Sequence, residues 1–142
     1  MPTKEDCIYA AGYIDADGCI TSDGTRGFRL SVSSTTIEML EWFKSTFGSN
    51  INNQHLPKNE NHNTAWKWVV SKKSELKIML ELIIPHMKIK KKQAVLVLDY
   101  LNVVGVCKRP KLSEADKQYF NTTKKKLKSL KINNHKQRLS YF

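Results

Sequence analysis

The sequence predicts an α+β fold in which an antiparallel sheet is covered on one side by helices. Two observations predict it. Apolar residues recur first at helical spacing and then at strand spacing, in the order α-β-β-α-β-β-α followed by extra helices. The strand-like segments also come in pairs joined by turn residues, which favours hairpins over parallel crossovers. A chain of 142 residues suits one domain over 1–142. Its core is expected over about residues 4–104, with a C-terminal helix and basic tail over about 111–142.

The elements follow in order. Thr3 with Asp6 three residues later forms a capping-box pattern, and Cys7, Ile8, Ala11 and Ile14 repeat helically, so a first helix is expected to about Asp15. Gly18 terminates it. Period-two segments at Cys19 to Asp23 and Gly27 to Ser33, with Asp23-Gly24 between them, read as a hairpin. Phe28, Leu30 and Val32 share one face of its second strand; Arg29, Ser31 and Ser33 share the other. Thr35 or Thr36 caps a second helix with Met39, Leu40, Phe43 and Phe47 as its buried stripe, and Gly48 ends it. A second hairpin follows, with strands near Ser49 to His55 and Thr64 to Ser71 and a Pro57-containing loop from Leu56 to Asn63. Ser74 opens a third helix reaching about Ile84, where Pro85 interrupts the path. A fourth runs from about Lys91 to Val103, closed by Gly105 and Pro110. Ser113 with Asp116 caps a last helix to about Leu130, coated with lysine, whose face is solvated or touches phosphate. The two αββ halves are similar in pattern but do not repeat in sequence.

Composition narrows the partners. Lys and Arg outnumber Asp and Glu by 24 to 13, a formal charge of +11 spread along the chain, so a polyanion is the expected partner. Charge alone does not choose DNA over RNA, and a basic structural module or an anionic membrane surface would also account for it. Cys7, Cys19 and Cys107 include no CxxC pair, which argues against a disulfide framework and a structural zinc site and for an intracellular setting. No apolar stretch approaches the roughly 20 residues of a membrane span. The polar start lacks a signal-peptide core, so the mature protein is expected to begin where the sequence does. Abundant Lys, Asn and Ile fit an AT-rich genome, such as that of an organelle or a phage in bacterial cytoplasm.

The chemistry-bearing segment is Ala10-Ala11-Gly12-Tyr13-Ile14-Asp15-Ala16-Asp17-Gly18. Small residues at Ala10, Ala11 and Gly12 allow another helix to approach closely. Two acids arrive where the helix ends, against the negative end of its dipole, a placement that a cation would offset. A D-x-D-G taken alone reads as an ordinary turn. Downstream, Met87-Lys88-Ile89-Lys90-Lys91-Lys92-Gln93-Ala94 reads alone as a solvated basic helix start. His55, His62, His86 and His135 match no metal-site spacing and suit surface or DNA contacts. Trp42, Trp66 and Trp68 suit packing better than base stacking.

The segment from Ala10 to Gly18 resembles the LAGLIDADG motif, departing from it only at Ala10 and Tyr13. The downstream lysine-rich segment is similar to that family's LKxKxxQ stretch. The resemblance spans roughly Asp6 to Asn102. It implies the αββαββα LAGLIDADG homing endonuclease fold, and a homodimer joined through Ala10, Ala11, Gly12 and Tyr13, because each chain carries one motif. It also implies that Asp17, with the Ala16 carbonyl, binds an essential Mg²⁺ or Mn²⁺, and that Lys90 is the active-site lysine. Asp15 is then a turn or helix-end partner and Gln93 a structural residue. Where the family often carries a Gln beside the catalytic water, this chain offers Ser33 or Ser34, and Ser34 is the candidate.

The activity implied is a metal-dependent double-strand cut across the minor groove, leaving 3′ overhangs in double-stranded DNA. The sheet's outward face would read the major groove through Thr21, Arg29, Ser31, Asn52, Gln54, Lys67 and Val69, although a polar strand face is also ordinary solvent-facing surface. A symmetric dimer implies a pseudopalindromic target of about two helical turns. The alternative is a non-cutting protein of the same fold, either a maturase bound to intron RNA or a transcriptional regulator.

Overall fold

The computed structural model describes residues 1–22, 27–55, 65–106 and 113–140, with side chains given except at 53–55 and 132–140. The Asp23-Gly24 turn, the Pro57 loop, Cys107 and Pro110 lie outside the described residues.

Helix α1 spans Lys4–Asp17, and both halves of its capping box form: Thr3 Oγ1 accepts the Asp6 N–H at 3.1 Å and Asp6 Oδ2 accepts the Thr3 N–H at 3.0 Å. The helix runs two residues further than its apolar pattern, so both acids lie in its last turn. Strand β1, Gly18–Ser22, starts directly from it. Gly18 suits this junction by its size, because a Cβ there would lie 2.8 Å from the Ile14 carbonyl oxygen.

Strands β2 (Phe28–Ser34), β3 (Asn50–His55) and β4 (Ala65–Val70) complete one antiparallel sheet in the order β1-β2-β4-β3. The two hairpins meet through their second strands, with Leu30 opposite Val70 and Val32 opposite Trp68. Pleating sends Ile20, Leu30, Val32, Trp68 and Val70 toward the helices, where all are buried.

Between the hairpins, α2 (Ile37–Phe47) buries Leu40 and Phe43, with Met39 and Phe47 at the margin of the stripe. The Thr36 side chain makes no cap bond; Ser34 Oγ instead accepts the Thr36 N–H at 2.9 Å. Gly48 ends the helix at φ +85°, a conformation that favours glycine. Phe43 stacks on Trp68, whose indole N–H donates to the Gly48 carbonyl at 2.7 Å. That wholly buried ring is core, and truncating such a residue typically costs about 3–5 kcal/mol.

Helix α3 spans Lys73–Ile83 with Lys72 as its N-cap. Ser74, expected to open it, lies inside the first turn: the Leu76 N–H bonds to the Lys72 carbonyl at 2.8 Å, so the helix starts soon after β4 ends. A short 3₁₀ turn, Ile84–His86, takes up Pro85, and α4 (Lys91–Val104) follows, ending at Gly105. Helix α5 is Glu114–Ser140, capped by Ser113, whose hydroxyl accepts the Asp116 N–H at 3.1 Å. It runs ten residues beyond the expected Leu130, and one face is not solvated: Phe120, Thr123 and Leu127 are buried. Phe120 packs on Phe28 and Tyr100, tying α5 to the sheet and to α4. Among the described residues no helix is long and apolar enough to cross a membrane. The architecture is therefore α+β, an antiparallel sheet flanked by helices with further helices at the C-terminal end.

Candidate active site and nucleic-acid interface

The motif acids at the end of α1 do different work. Asp15 is only 9% exposed; its Oδ2 accepts the Lys88 N–H at 2.7 Å and its Oδ1 the Lys90 N–H at 2.9 Å. It is a structural partner, as the resemblance implies. Asp17, two residues on, is exposed, as is Ala16.

Lys90 closes the arrangement. It is the N-cap of α4, and its ammonium donates to the Gly18 carbonyl at 2.6 Å and to the Ile14 carbonyl at 3.2 Å. The last turn of α1 holds no basic residue of its own. The cation that its acidic end calls for thus comes from a segment more than 70 positions downstream. Lys90 thereby fixes positive charge at the helix end where the Asp17 carboxylate is exposed.

Other expected site residues divide. The Ser34 hydroxyl is engaged with the Thr36 N–H, and strand alternation puts Ser34 on the helix-facing side with Val32. Ser33 is exposed on the outward side, one residue past the pair Val32 and Gly18. Ala10 and Ala11 are fully buried within the chain, so their small size serves α1's own packing and they present nothing to a partner. Tyr13 is half-buried edge-on to Phe43. Of the four expected interface residues Gly12 alone is exposed, and it shares its face with Ile8 (46% exposed), Tyr9 (55%) and Ala16, a stripe that the sequence pattern does not single out.

On the outward face of the sheet the register sets Thr21 beside Arg29, Ser31 between Cys19 and Val69, and Lys67 between Ser33 and Asn52. Arg29 Nε donates to Thr21 Oγ1 at 3.3 Å. Asn52 is exposed, and Thr21, Arg29, Lys67 and Val69 are partly so. Ser31 is a correction: it points outward but keeps only 2% exposure, because β2 is a central strand and neighbours close over it, so it offers no surface to a base. The Gln54, His55 and His135 side chains and His62 lie outside the described residues, while His86 is half-buried in the 3₁₀ turn.

Cys19, which no sequence motif marks as a surface residue, is exposed on this face, whereas Cys7 is buried in α1. Burial, and then the Asp6 charge, push the Cys7 thiol above its ordinary value. The neutral thiol is the folded form, so its contribution to stability is full below the ordinary thiol range and is lost as pH rises past the raised value. At neutral pH an alkylating agent should therefore modify Cys19 and spare Cys7 in the native protein. Site-resolved mass spectrometry checks this.

Among the described residues no three His, Cys, Asp or Glu side chains converge as a metal cage. The exposed Asp17 carboxylate and the preceding backbone carbonyl are oxygen donors, the kind that hard cations take.

Solved structures share this fold. I-CvuI, a homing endonuclease in complex with its target in the presence of calcium, superposes with a TM-score of 0.56 at 24% identity, over 70% of this chain and 67% of that one. The archaeal intron-encoded homing endonuclease I-Vdi141I, complexed with DNA, gives a TM-score of 0.61 at 18% identity, over 93% of this chain and 83% of that one. I-SmaMI, bound to an uncleaved DNA target in the presence of calcium ions, gives 0.58 at 18% identity, over 88% of this chain but 43% of that one. No curated protein matches the chain. The profile of the LAGLIDADG-like domain matches residues 6–84, a stretch that holds nearly all of α1, the whole sheet and α3 and stops short of Lys90, and the chain belongs to that family.

Proposed function

We propose that residues 1–142 act as one functional domain, a site-specific homing endonuclease that pairs as a homodimer and makes a staggered, divalent-metal-dependent double-strand cut in a long pseudopalindromic DNA target. The observation that carries this reading is the end of α1, where the Asp17 carboxylate is exposed and the Lys90 ammonium is held on the Gly18 and Ile14 carbonyls of the same helix end. The solved relatives add weight, since their descriptions are of homing endonucleases on DNA.

Asp17 and the Ala16 carbonyl would hold Mg²⁺ or Mn²⁺, which when bound supplies charge that stabilises the attacking and leaving oxygens of phosphodiester hydrolysis. Lys90, pinned by two carbonyls, offsets negative charge developing on the scissile phosphate without having to reorganise. Ser33, exposed and outward, is better placed than Ser34 to orient water. The outward face positions the duplex: Arg29 suits guanine, Asn52 and Gln54 suit adenine, and Lys67 and Thr21 suit bases or phosphates. Strand scission in Mg²⁺ that stops in EDTA, with linear product from a plasmid pool, supports the reading. Specific duplex binding without scission contradicts it.

Pairing would run through Ile8, Tyr9, Gly12 and Ala16, bringing two Asp17 carboxylates together. This chain matches 43% of I-SmaMI, leaving room there for a second unit that a second copy would supply here. Beyond its own helix turn, a Cβ on Gly12 meets nothing within 4 Å among the described residues. Gly12→Leu is therefore expected to leave monomer stability unchanged or raise it by up to about 1 kcal/mol through helix propensity. The same variant should turn the dimer into monomer in analytical ultracentrifugation. A variant still dimeric at micromolar concentration would remove α1 from the interface.

One observation favours a second reading, a non-cutting DNA- or RNA-binding protein of the same fold, either an intron maturase or a regulator. The Lys90 ammonium has a structural task at the end of α1, which would maintain it without catalysis.

A further inference from the structure

Helix α5 carries a lysine stripe whose position no part of the cutting scheme uses. Lys124, Lys128 and Lys131 follow one another at helical spacing beside the buried Phe120, Thr123 and Leu127, with Asn121 and Lys125 on the same side. These residues do not simply face solvent. With Thr21 and Ser22 at the end of β1 they line a groove of about 610 Å³ that includes Leu127, and among the described residues no carboxylate lines it. Like charges at this spacing destabilise a helix, and among the described residues the wall across the groove offers the hydroxyls of Thr21 and Ser22. A polyanionic partner would supply the counter-charge that the described lining lacks. Thr21 belongs to the outward face of the sheet, so the groove opens at the edge of the surface that would read DNA.

A second basic groove, between α4 and α5, serves as a contrast. Lys88, Lys91, Lys92 and Lys126 rim it, but Val95, Leu96 and Leu130 give it an apolar lining and Asp99 a carboxylate. It lacks any residue of the sheet.

We propose that the groove between β1 and α5 is a phosphate track that grips the DNA backbone just outside the bases contacted by the sheet. This deepens, and rests on, the reading of the chain as a DNA-binding nuclease. Hydroxyl and amide groups from Thr21 and Asn121 would orient phosphate oxygens, and the lysines would supply charge that is indifferent to sequence. The helix thus adds affinity and footprint without adding base specificity.

The test is the salt dependence of binding to a random-sequence duplex in Ca²⁺. It compares wild type, the triple variant Lys124→Gln/Lys128→Gln/Lys131→Gln and a charge-matched control, Lys77→Gln/Lys92→Gln/Lys126→Gln. Gln matches Lys in helix propensity, and circular dichroism confirms that both variants fold. Each lost phosphate contact lowers the slope of log K against log salt by about 0.9, so the groove variant should lose about 2 to 3 units of slope per protomer, or about 5 for the dimer, while the control keeps the wild-type value. Hydroxyl-radical footprints of the groove variant should shorten at their outer edges. Wild-type binding with an unchanged slope in the groove variant would overturn the groove proposal alone. No duplex binding by wild type would overturn the nuclease reading and the groove with it. Slope loss seen only on single-stranded RNA would overturn the assignment to DNA.

Discussion

Asp17→Asn should lower the rate of strand cleavage by roughly a hundredfold to a thousandfold or more while leaving DNA affinity in Ca²⁺ close to wild type. The asymmetry follows from where the side chain sits. Among the described residues nothing hydrogen-bonds to the Asp17 carboxylate, and the residue is exposed at the end of α1. Its replacement by an amide of the same shape therefore costs the fold little. What would be lost is a negative oxygen donor, and in the proposed dimer each of the two sites would lose it at once. Single-turnover cleavage, a gel shift in Ca²⁺ and a melting curve separate the three quantities. A variant that cuts as fast as wild type would remove Asp17 from the chemistry.

Asp15→Ala should instead act on the fold. Its buried carboxylate accepts two backbone N–H groups, at 2.7 and 2.9 Å, from the segment that leads into α4. Hydrogen bonds to a charged group contribute about 1.5–3 kcal/mol each, and the Ala variant leaves both N–H groups without their acceptor. A loss of about 3 kcal/mol, or about 10 °C in Tm, is expected for a chain of this length. Asp15→Asn retains one acceptor oxygen and should lose less. Both variants should also cut more slowly, because the same two bonds place Lys90 over the end of α1. Binding to DNA in Ca²⁺ should fall much less than cleavage, which distinguishes misplaced Lys90 from a protein that simply fails to fold. An Asp15→Ala protein with wild-type Tm and cleavage would show that the junction is held elsewhere.

The fold was legible because its signals are local. Alternation in Phe28 to Ser34 and Ala65 to Val70, the capping box at Thr3, the Ser113 cap and the glycines at 48 and 105 each act within a few residues of themselves. Where expectation and structure part, distant partners decide the outcome. The burial of Ser31 depends on strands on both sides of β2, and that of Ala10 and Ala11 on what packs over α1, neither of which spacing encodes. Ser74 has the chemistry of an N-cap, yet α3 begins earlier, at Lys73. Acids at a helix end imply a cation, the most informative signal in the chain, but only the structure identifies that cation as Lys90. Ser33 and Ser34 were equivalent by composition and are separated by the direction in which the strand sends each side chain.

The most direct test of the central claim, that two identical chains each deliver one cutting site, is to sequence the ends produced when the protein cleaves a randomised plasmid library in Mg²⁺. The predicted result is paired cuts with 3′ overhangs centred on pseudopalindromic sites of about two helical turns, absent from a parallel library treated with Asp17→Asn. Asymmetric sites, isolated nicks, or an identical set of ends from the Asp17→Asn protein would contradict it.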